Sequence, residues 1–197
     1  MTHHARAGRW TLLASAAISA ALLCATPVRA NVSNGSFETG SFSGWTLTGD
    51  TSFSGVGEAI GRAGGFGAYF GPDGVATLSQ VINTVPGTGY AVRFWLALDD
   101  SATPNSFAWS WGGATQSVLT NVAAFDYVAF TTTVTATGNS TNLRFDFSNP
   151  QSFWMLDDIS VTVVPEPASA VLLALGLAAV GIARARRLSA GSKQSSN

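Results

Sequence analysis

Two prolines close to the C-terminus set the limit of the part of this chain that can form a folded domain. Pro165 and Pro167 stand on either side of Glu166. Each proline lacks a backbone N–H and fixes its φ angle, so neither a helix nor a strand readily continues through this triplet. We therefore expect one folded region to end just before Pro165 and a separate segment to begin after Pro167.

That separate segment, residues 168–183, is an uncharged apolar run, and it is followed by Arg184, Arg186 and Arg187. A helix with a rise of about 1.5 Å per residue would make it about 24 Å long, slightly less than a hydrocarbon core of about 30 Å. Because basic residues stay on the cytoplasmic side of a membrane helix, the pattern predicts a C-terminal transmembrane helix. Everything before Pro165 would then lie outside the inner membrane.

The order of these parts in residues 164–187 resembles the PEP-CTERM sorting signal of Gram-negative bacteria. The resemblance implies a tail that an exosortase-type membrane protease reads and processes after a transient stay in the inner membrane. It also implies export to the cell surface or the extracellular polysaccharide matrix (biofilm). The polar tail, residues 188–197, departs from the family, in which the chain usually stops soon after the arginines. An ordinary C-terminal anchor with the same topology is the alternative.

The N-terminal segment, residues 1–30, has the pattern of a secretory signal peptide, which we expect to be helical. A basic start precedes an apolar stretch over residues 11–25, and Val28-Arg29-Ala30 forms a small-residue cleavage site. We therefore expect the mature protein to begin at Asn31. A retained N-terminal membrane helix is the alternative, but the short apolar stretch and the processing pattern disfavour it.

The predicted mature domain, residues 31–163, contains no cysteine and no histidine, because these residues are confined to His3, His4 and Cys24. It therefore lacks the histidine base of Ser-His-Asp and Cys-His enzymes, and no spacing of its carboxylates marks a glycosidase pair. We expect a protein that is not an enzyme. Three arginines against ten acidic residues give this domain a net charge of −7, which argues against nucleic acid as a partner.

Short segments of alternating apolar and polar residues, separated by glycine-rich and asparagine-rich turns, predict an all-β fold for residues 31–163. The clearest strand is 90–98, in which Tyr90, Phe94 and Leu98 share one face while Arg93 and Trp95 lie on the other. The further predicted strands are 31–37, 44–49, 68–70, 75–82, 106–111, 117–119, 125–134, 143–147 and 153–163. Such a pattern is typical of a two-sheet sandwich.

Motifs at both ends of the domain resemble the galactose-binding-like jelly rolls, the fold of many carbohydrate-binding modules. The opening motif is residues 34–38 (NGSFE), followed by Gly44-Trp45, and the closing motif is residues 154–161 (WMLDDISV). A middle stretch, Pro104 to Phe107 with Trp111-Gly112, recurs in PEP-CTERM proteins that carry such a domain. The resemblance implies a jelly-roll sandwich whose first and last strands lie close together.

The acidic residues of these two motifs are candidate metal ligands. Asp157 has the same parity as Ile159, so we expect its carboxylate on the core side, where it needs a partner. Glu38 is a candidate for the same pocket, and the resemblance implies a structural Ca²⁺ held by Glu38, Asp157 and Asp158 with backbone carbonyls. The alternative is that these carboxylates accept backbone N–H bonds and hold no metal.

An exposed aromatic ring beside polar groups is the expected form of a sugar-binding site. Trp95, beside Arg93, is the strongest candidate, and Trp45 and Tyr69 are weaker ones. Asp99 and Asn105 lie on a loop that could add polar contacts, but a solvated turn is the favoured interpretation of that loop. Most aromatic residues of a sandwich belong to its core, and this is the alternative for each of them. The leading hypothesis is an exported, non-enzymatic protein that binds polysaccharide, in particular exopolysaccharide. The alternative is a structural or adhesive matrix protein without a sugar site.

Overall fold

We describe a computed structural model of the protein, in which residues 31–164, 171, 174–182 and 184 are described. The described residues after 164 are helical. Within the described part of the chain, no helix has both the length and the apolar character needed to cross a membrane. The predicted signal-peptide helix, the polar tail, part of the predicted transmembrane helix, and the sorting-signal residues Pro165, Glu166, Pro167, Arg186 and Arg187 lie outside the described residues.

Ten strands make up the described domain. They are β1 (Thr46–Gly49), β2 (Ser54–Glu58), β3 (Phe66–Phe70), β4 (Ala76–Asn83), β5 (Gly89–Leu98), β6 (Ser106–Trp111), β7 (Ala114–Thr120), β8 (Phe125–Thr135), β9 (Ser140–Ser148) and β10 (Trp154–Val163). The strand predicted over residues 31–37 is wrong, because this segment forms consecutive turns, with Asn34 and Phe37 at positive φ. Strand β2 was missed by the sequence patterns because its glycines and serine give it no apolar alternation.

The strands form two antiparallel five-stranded sheets that pack face to face as a jelly roll, which confirms the predicted all-β sandwich. The first sheet has the order β1-β4-β9-β6-β7, and the second has the order β2-β3-β10-β5-β8. The opening motif lies against β10, where the Ile159 N–H donates to the Gly35 carbonyl oxygen at 2.9 Å. A Cβ on Gly35 would lie 2.1 Å from the carbonyl oxygen of Ile159, so this close approach requires glycine.

Aromatic side chains from both sheets fill the space between them. Phe94 of β5 is fully buried and lies 5.2 to 5.8 Å, between ring centroids, from four rings: Phe107, Trp109, Phe130 and Phe145. The alternation predicted for β5 is confirmed, because Tyr90, Phe94 and Leu98 are buried while Arg93 is exposed and Trp95 is partly exposed. The described core cluster extends only from Phe37 to Val161.

A β-bulge in β10 corrects the predicted orientation of Asp157. The pairing of β10 with β5 shifts between Asp157 and Ser160, and Asp158 within the bulge has a φ of 48°. The extra residue reverses the alternation, so Ile159 points into the core whereas Asp157, paired with Trp95, lies on the outer face of the second sheet. The carboxylate is nevertheless fully buried, because a loop covers it.

Candidate functional site

The loop that covers Asp157 connects β2 and β3, and we call residues 59–65 the glycine loop. It turns back over the outer face of the second sheet and reaches the edge strand β8, where the Tyr127 hydroxyl donates to the Ile60 carbonyl oxygen at 2.9 Å. Gly61 lies so close to the backbone of Phe66 that a Cβ on Gly61 would be 2.2 Å from the Phe66 carbonyl oxygen. The backbone of the glycine loop is therefore held at several points.

Two carboxylates, one from each end motif, fix the glycine loop. Asp157 accepts the backbone N–H of Arg62 at 2.7 Å, and Glu38 accepts the N–H groups of Gly65 and Phe66 at 3.2 Å. A Cβ on Gly64 would lie 2.2 Å from a Glu38 carboxylate oxygen, so only glycine fits there without movement. The two end motifs therefore hold the same loop in this structure.

The loop places Arg62 over Trp95. The Arg62 guanidinium carbon is 4.2 Å from the centroid of the Trp95 ring, and the corresponding carbon of Arg93 is 5.3 Å away. Both distances fall within the range of cation–π attraction. Arg62 is also ion-paired with Asp158, to which its Nε donates at 2.8 Å. Of the three arginines in residues 31–164, Arg93 is the one without an ion-pair partner among the described residues.

These side chains border an open cavity of about 430 Å³, which we call the tryptophan cleft; it is lined by Gly35, Ser36, Arg62, Arg93, Trp95, Asp158, Ile159 and Ser160. It combines an indole ring with guanidinium and hydroxyl groups. Such a surface can pack against an apolar group and donate hydrogen bonds to oxygen atoms around it. Its volume lies within the range of small-ligand sites, about 300–1,000 Å³.

The structure brings the predicted pair Trp95 and Arg93 together and adds Arg62, which sequence reasoning missed. A signal for Arg62 was present, because residues 31–163 contain only three arginines and this one lies in a glycine-rich stretch. What the sequence did not provide was the path of the loop across the sheet. That path depends on partly buried hydrogen bonds to Asp157, about 95 residues away in the chain.

The structure corrects two of the predicted ligand contacts, because both side chains are buried. Trp45 is 8% exposed and belongs to the core, where its Nε1 donates to the Asn34 carbonyl oxygen at 3.2 Å. Asn105 is 1% exposed, and its amide bonds to the backbone of Ala102 and Val122. Asn105 thus joins two loops and has no polar atom left for a ligand. Tyr69 and Asp99 remain accessible but line a different hollow from Trp95.

The carboxylates of the predicted calcium site have hydrogen-bond partners in this structure. Asp157 accepts N–H groups from Arg62, Ala63 and Asp158, and Glu38 accepts those of Gly65 and Phe66. Asp158 pairs with Arg62. No group of three acidic, histidine or cysteine side chains within the described residues could hold a metal ion. In this arrangement the lone pairs that Ca²⁺ needs face nitrogen donors, so the residues do not fit the ion as they stand. The calcium site stays a prediction.

Burial raises the pKa of Asp157 above its ordinary value of 3.8; backbone N–H bonds from Asp158 and Arg62 oppose the shift, and the charge of Asp158 adds to it. The folded protein therefore binds this proton more tightly than the unfolded chain does. It follows that the contribution of Asp157 to stability is greatest below pH 3.8 and is lost as the pH rises through the folded-state pKa.

We therefore expect the pH dependence of unfolding to change when Asp157 is replaced by Asn, which cannot titrate. Relative to Asp157→Asn, the wild-type protein should lose free energy of unfolding as the pH rises above 3.8. Urea titrations at a series of pH values measure this slope, and any constant difference between the two proteins cancels. A difference that stays constant, or that grows with pH in favour of the wild type, would contradict the raised pKa.

Comparisons with known proteins agree with the predicted sorting motif and with the observed fold. The PEP-CTERM protein-sorting motif matches residues 163–187. Among solved structures, a family 61 carbohydrate-binding module in complex with β-1,4-galactotriose is 20% identical, with a TM-score of 0.58; the match covers 69% of this chain and 99% of the module. No match to the chain is found among curated proteins.

Two further structures share the fold. The CBM22-1 xylan-binding domain of Xyn10C from Paenibacillus barcinonensis is 17% identical, with a TM-score of 0.50 and coverage of 68% of this chain and 94% of that domain. The enzymatically active domain of tailspike protein 4 of bacteriophage CBA120 is 17% identical, with a TM-score of 0.51 and coverage of 68% of this chain but only 21% of the tailspike chain. At these identities the likeness establishes the jelly-roll fold. The motif at 163–187 indicates export through a membrane-anchored sorting step.

Proposed function

We propose that this protein is delivered to the cell surface or extracellular matrix and binds polysaccharide there through the tryptophan cleft, without catalysing a reaction. The observation that carries the proposal is Trp95, a large aromatic residue kept on the outer face of a sheet whose other tryptophan, Trp154, is buried. The ligands of the two modules that share the fold, galactotriose and xylan, support a saccharide as the partner.

The chemistry of the cleft suits a sugar. A pyranose ring has an apolar face that packs on an indole, and hydroxyl groups at its edge that need hydrogen-bond partners. Arg93 can supply N–H donors, because it has no ion-pair partner among the described residues. The hydroxyl groups of Ser36 and Ser160 lie along the same cavity and can both donate and accept.

Arg62 covers part of the ring that a sugar would use, so binding requires this side chain to move. Its ion pair with Asp158 is partly open to solvent, with side-chain exposures of 32% and 26%. Such pairs contribute only about 0–1 kcal/mol, so displacing the guanidinium costs little compared with the packing of a sugar on the indole. The backbone of Arg62 stays bound to Asp157, which keeps the displaced side chain at the rim of the cleft.

The acidic groups at the cleft support binding rather than hydrolysis. A glycosidase needs two carboxylates that face each other across the scissile bond, about 5–10 Å apart. Here Asp157 lies buried beneath the glycine loop and Asp158 pairs with Arg62. Incubation of the chain with matrix polysaccharide should release no reducing ends, and release that depends on either carboxylate would contradict a non-enzymatic role.

Retention of the purified chain on a panel of immobilised polysaccharides, including galactan, xylan and exopolysaccharide from the producing cells, tests the proposal. We expect retention on at least one polymer and elution by oligosaccharides of the same sugar. Absence of retention on every polymer would reject sugar binding while leaving the export proposal intact. The mass of the protein recovered from cells would show separately whether the signal peptide and the sorting tail are removed.

A displayed matrix protein without a sugar site is the second candidate. The burial of most aromatic residues favours it, since Trp45, Trp109, Trp111 and Trp154 belong to the core. Phe53, at 66% exposure, is the one aromatic side chain among the described residues that is mostly open to solvent. The effect of replacing Trp95, argued in the Discussion, separates the two candidates, because only the first predicts that matrix retention depends on this residue.

The structural calcium predicted for Glu38, Asp157 and Asp158 is tested separately by thermal melting. A bound ion would stabilise the folded protein by mass action. Because the described carboxylates already have nitrogen partners, we expect the thermal midpoint to change little when EDTA replaces calcium. A clear rise of the midpoint with calcium, absent in Glu38→Gln, would show instead that these side chains turn towards an ion.

A further inference from the structure

A second hollow opens on the outer face of the second sheet, separate from the tryptophan cleft. Its volume is about 300 Å³, and it is lined by Ile60, Tyr69, Asp99, Phe153 and Met155. Four of these five side chains are apolar or aromatic. Ile60 belongs to the glycine loop, whose Arg62 borders the tryptophan cleft, so the loop separates the two cavities.

Three glycines make room for the side chains of this hollow. A Cβ on Gly55 would lie 2.6 Å from the hydroxyl oxygen of Tyr69, and one on Gly71 would lie 2.7 Å from the Phe153 ring. A Cβ on Gly57 would lie 2.6 Å from the Ile60 side chain. The tyrosine ring meets Phe153 edge to face, with 5.6 Å between the centroids. The unusual glycine content of β2 thus has a local consequence, which is to let Tyr69 lie across the strand.

Two polar groups of this apolar hollow have no partner in the described part of the chain. The Asp99 carboxylate accepts no hydrogen bond and forms no ion pair there, although its backbone N–H is bound to Phe153. The neighbouring Asp100 differs, because its carboxylate accepts the Ala102 N–H at 2.8 Å. The Tyr69 hydroxyl likewise has no hydrogen bond among these residues, unlike the hydroxyl groups of Tyr90 and Tyr127.

We propose that this hollow is a second saccharide-binding subsite and that it takes one uncharged hexose residue. The apolar walls suit the C–H face of a sugar ring, and the free carboxylate of Asp99 can accept bonds from two adjacent hydroxyl groups. The same carboxylate disfavours a uronic acid, which would bring a second negative charge beside it. The volume lies at the small end of ligand sites, which suits a single ring rather than a chain.

This proposal goes beyond the tryptophan cleft and does not depend on it, because the two cavities share no lining residue. The functional consequence is that a polysaccharide could contact the domain on both sides of the glycine loop. Two weak contacts joined by one polymer retain a protein more strongly than either contact alone. Oligosaccharides too short to reach both sites should therefore bind more weakly than the polymer.

Met155 provides a direct probe of the hollow. The full chain contains two methionines, Met1 and Met155, so selective ¹³C labelling of methionine methyl groups yields few signals. We expect the Met155 signal to move on titration with D-galactose or D-glucose, with a dissociation constant on the order of millimolar, as small ligands of this size allow. D-glucuronate should move it much less at the same concentration.

Substitutions assign the effect to the hollow. Asp99→Asn should weaken the titration about tenfold or abolish it, since charge-assisted bonds to the sugar are lost. The matched control Asp100→Asn, one residue along the chain and outside the hollow, should leave it unchanged. Gly55→Ala should also abolish it by displacing Tyr69, and Asp99→Asn serves alone if that variant does not fold.

The result with Trp95→Ala distinguishes this proposal from the previous one. A Met155 response that persists in Trp95→Ala supports a separate subsite, even if polysaccharide retention is lost. The proposal is overturned if neither hexose moves the Met155 signal, if Asp99→Asn and Asp100→Asn behave alike, or if Trp95→Ala removes the response together with binding at the cleft.

Discussion

Replacement of Trp95 with alanine should weaken polysaccharide binding about thirtyfold while the thermal midpoint of the protein stays nearly the same. The indole is the largest side chain of the tryptophan cleft and is the contact partner of both Arg62 and Arg93. Truncation of such an aromatic anchor commonly costs about 2 kcal/mol of binding free energy or more, which corresponds to this factor. The fold should tolerate the change because Trp95 is not part of the core cluster.

Affinity gels or calorimetry with the polymer retained in the panel would measure the change in binding, and calorimetric melting would measure stability. Phe53→Ala is the matched control, because Phe53 is an exposed aromatic residue in the turn before β2 that does not line the cleft. Equal binding by Trp95→Ala and the wild type would show that the polymer binds elsewhere and would reject the tryptophan cleft as the sugar site. A loss of binding that accompanies a large loss of stability would leave the role of the indole as a ligand contact unsupported.

Replacement of Phe94 with alanine should reduce stability rather than binding, and should lower the free energy of unfolding by about 3–5 kcal/mol. Phe94 precedes Trp95 in β5 but points into the core, where it is fully buried against rings of both sheets. Its removal leaves a cavity that strands on both sides would have to close. Urea denaturation, with a common m-value for the two proteins, gives the difference directly.

A graded substitution checks that packing is the cause. Phe94→Leu keeps much of the buried volume and should cost distinctly less than Phe94→Ala. Because Phe94 does not line the tryptophan cleft, the folded fraction of either variant should retain polysaccharide binding. A loss below about 1 kcal/mol for Phe94→Ala would contradict the central place of this ring in the core.

The features that could be predicted from the sequence are those set by local pattern. The alternation of β5 assigned Phe94 to the core and Trp95 to the outer face. A long run of residues that alternate with a period of two is a strong indication of a strand. The sorting motif was predicted from a Pro-Glu-Pro triplet, an apolar run and an arginine cluster, all within one short stretch. The end motifs predicted a jelly roll, and the contact between Ile159 and Gly35 joins them as expected.

The features that could not be predicted depend on distant parts of the chain. The parity of Asp157 was misassigned because a bulge at Asp158 adds one residue, and nothing in the local pattern marks it. Arg62 was overlooked because its place over Trp95 follows from hydrogen bonds between the glycine loop and β10. Asn105 lies in a loop as predicted, but its amide joins that loop to a second one and is buried for that reason.

A crystal structure of the protein with a bound oligosaccharide from the retained polymer would test the central claim most directly. We expect a sugar ring over the indole of Trp95, with Arg62 turned aside and Arg93 within hydrogen-bond distance of a hydroxyl group. A sugar bound only on the opposite sheet, for example in the groove between Ser33, Ser79 and Asn83, would contradict this account.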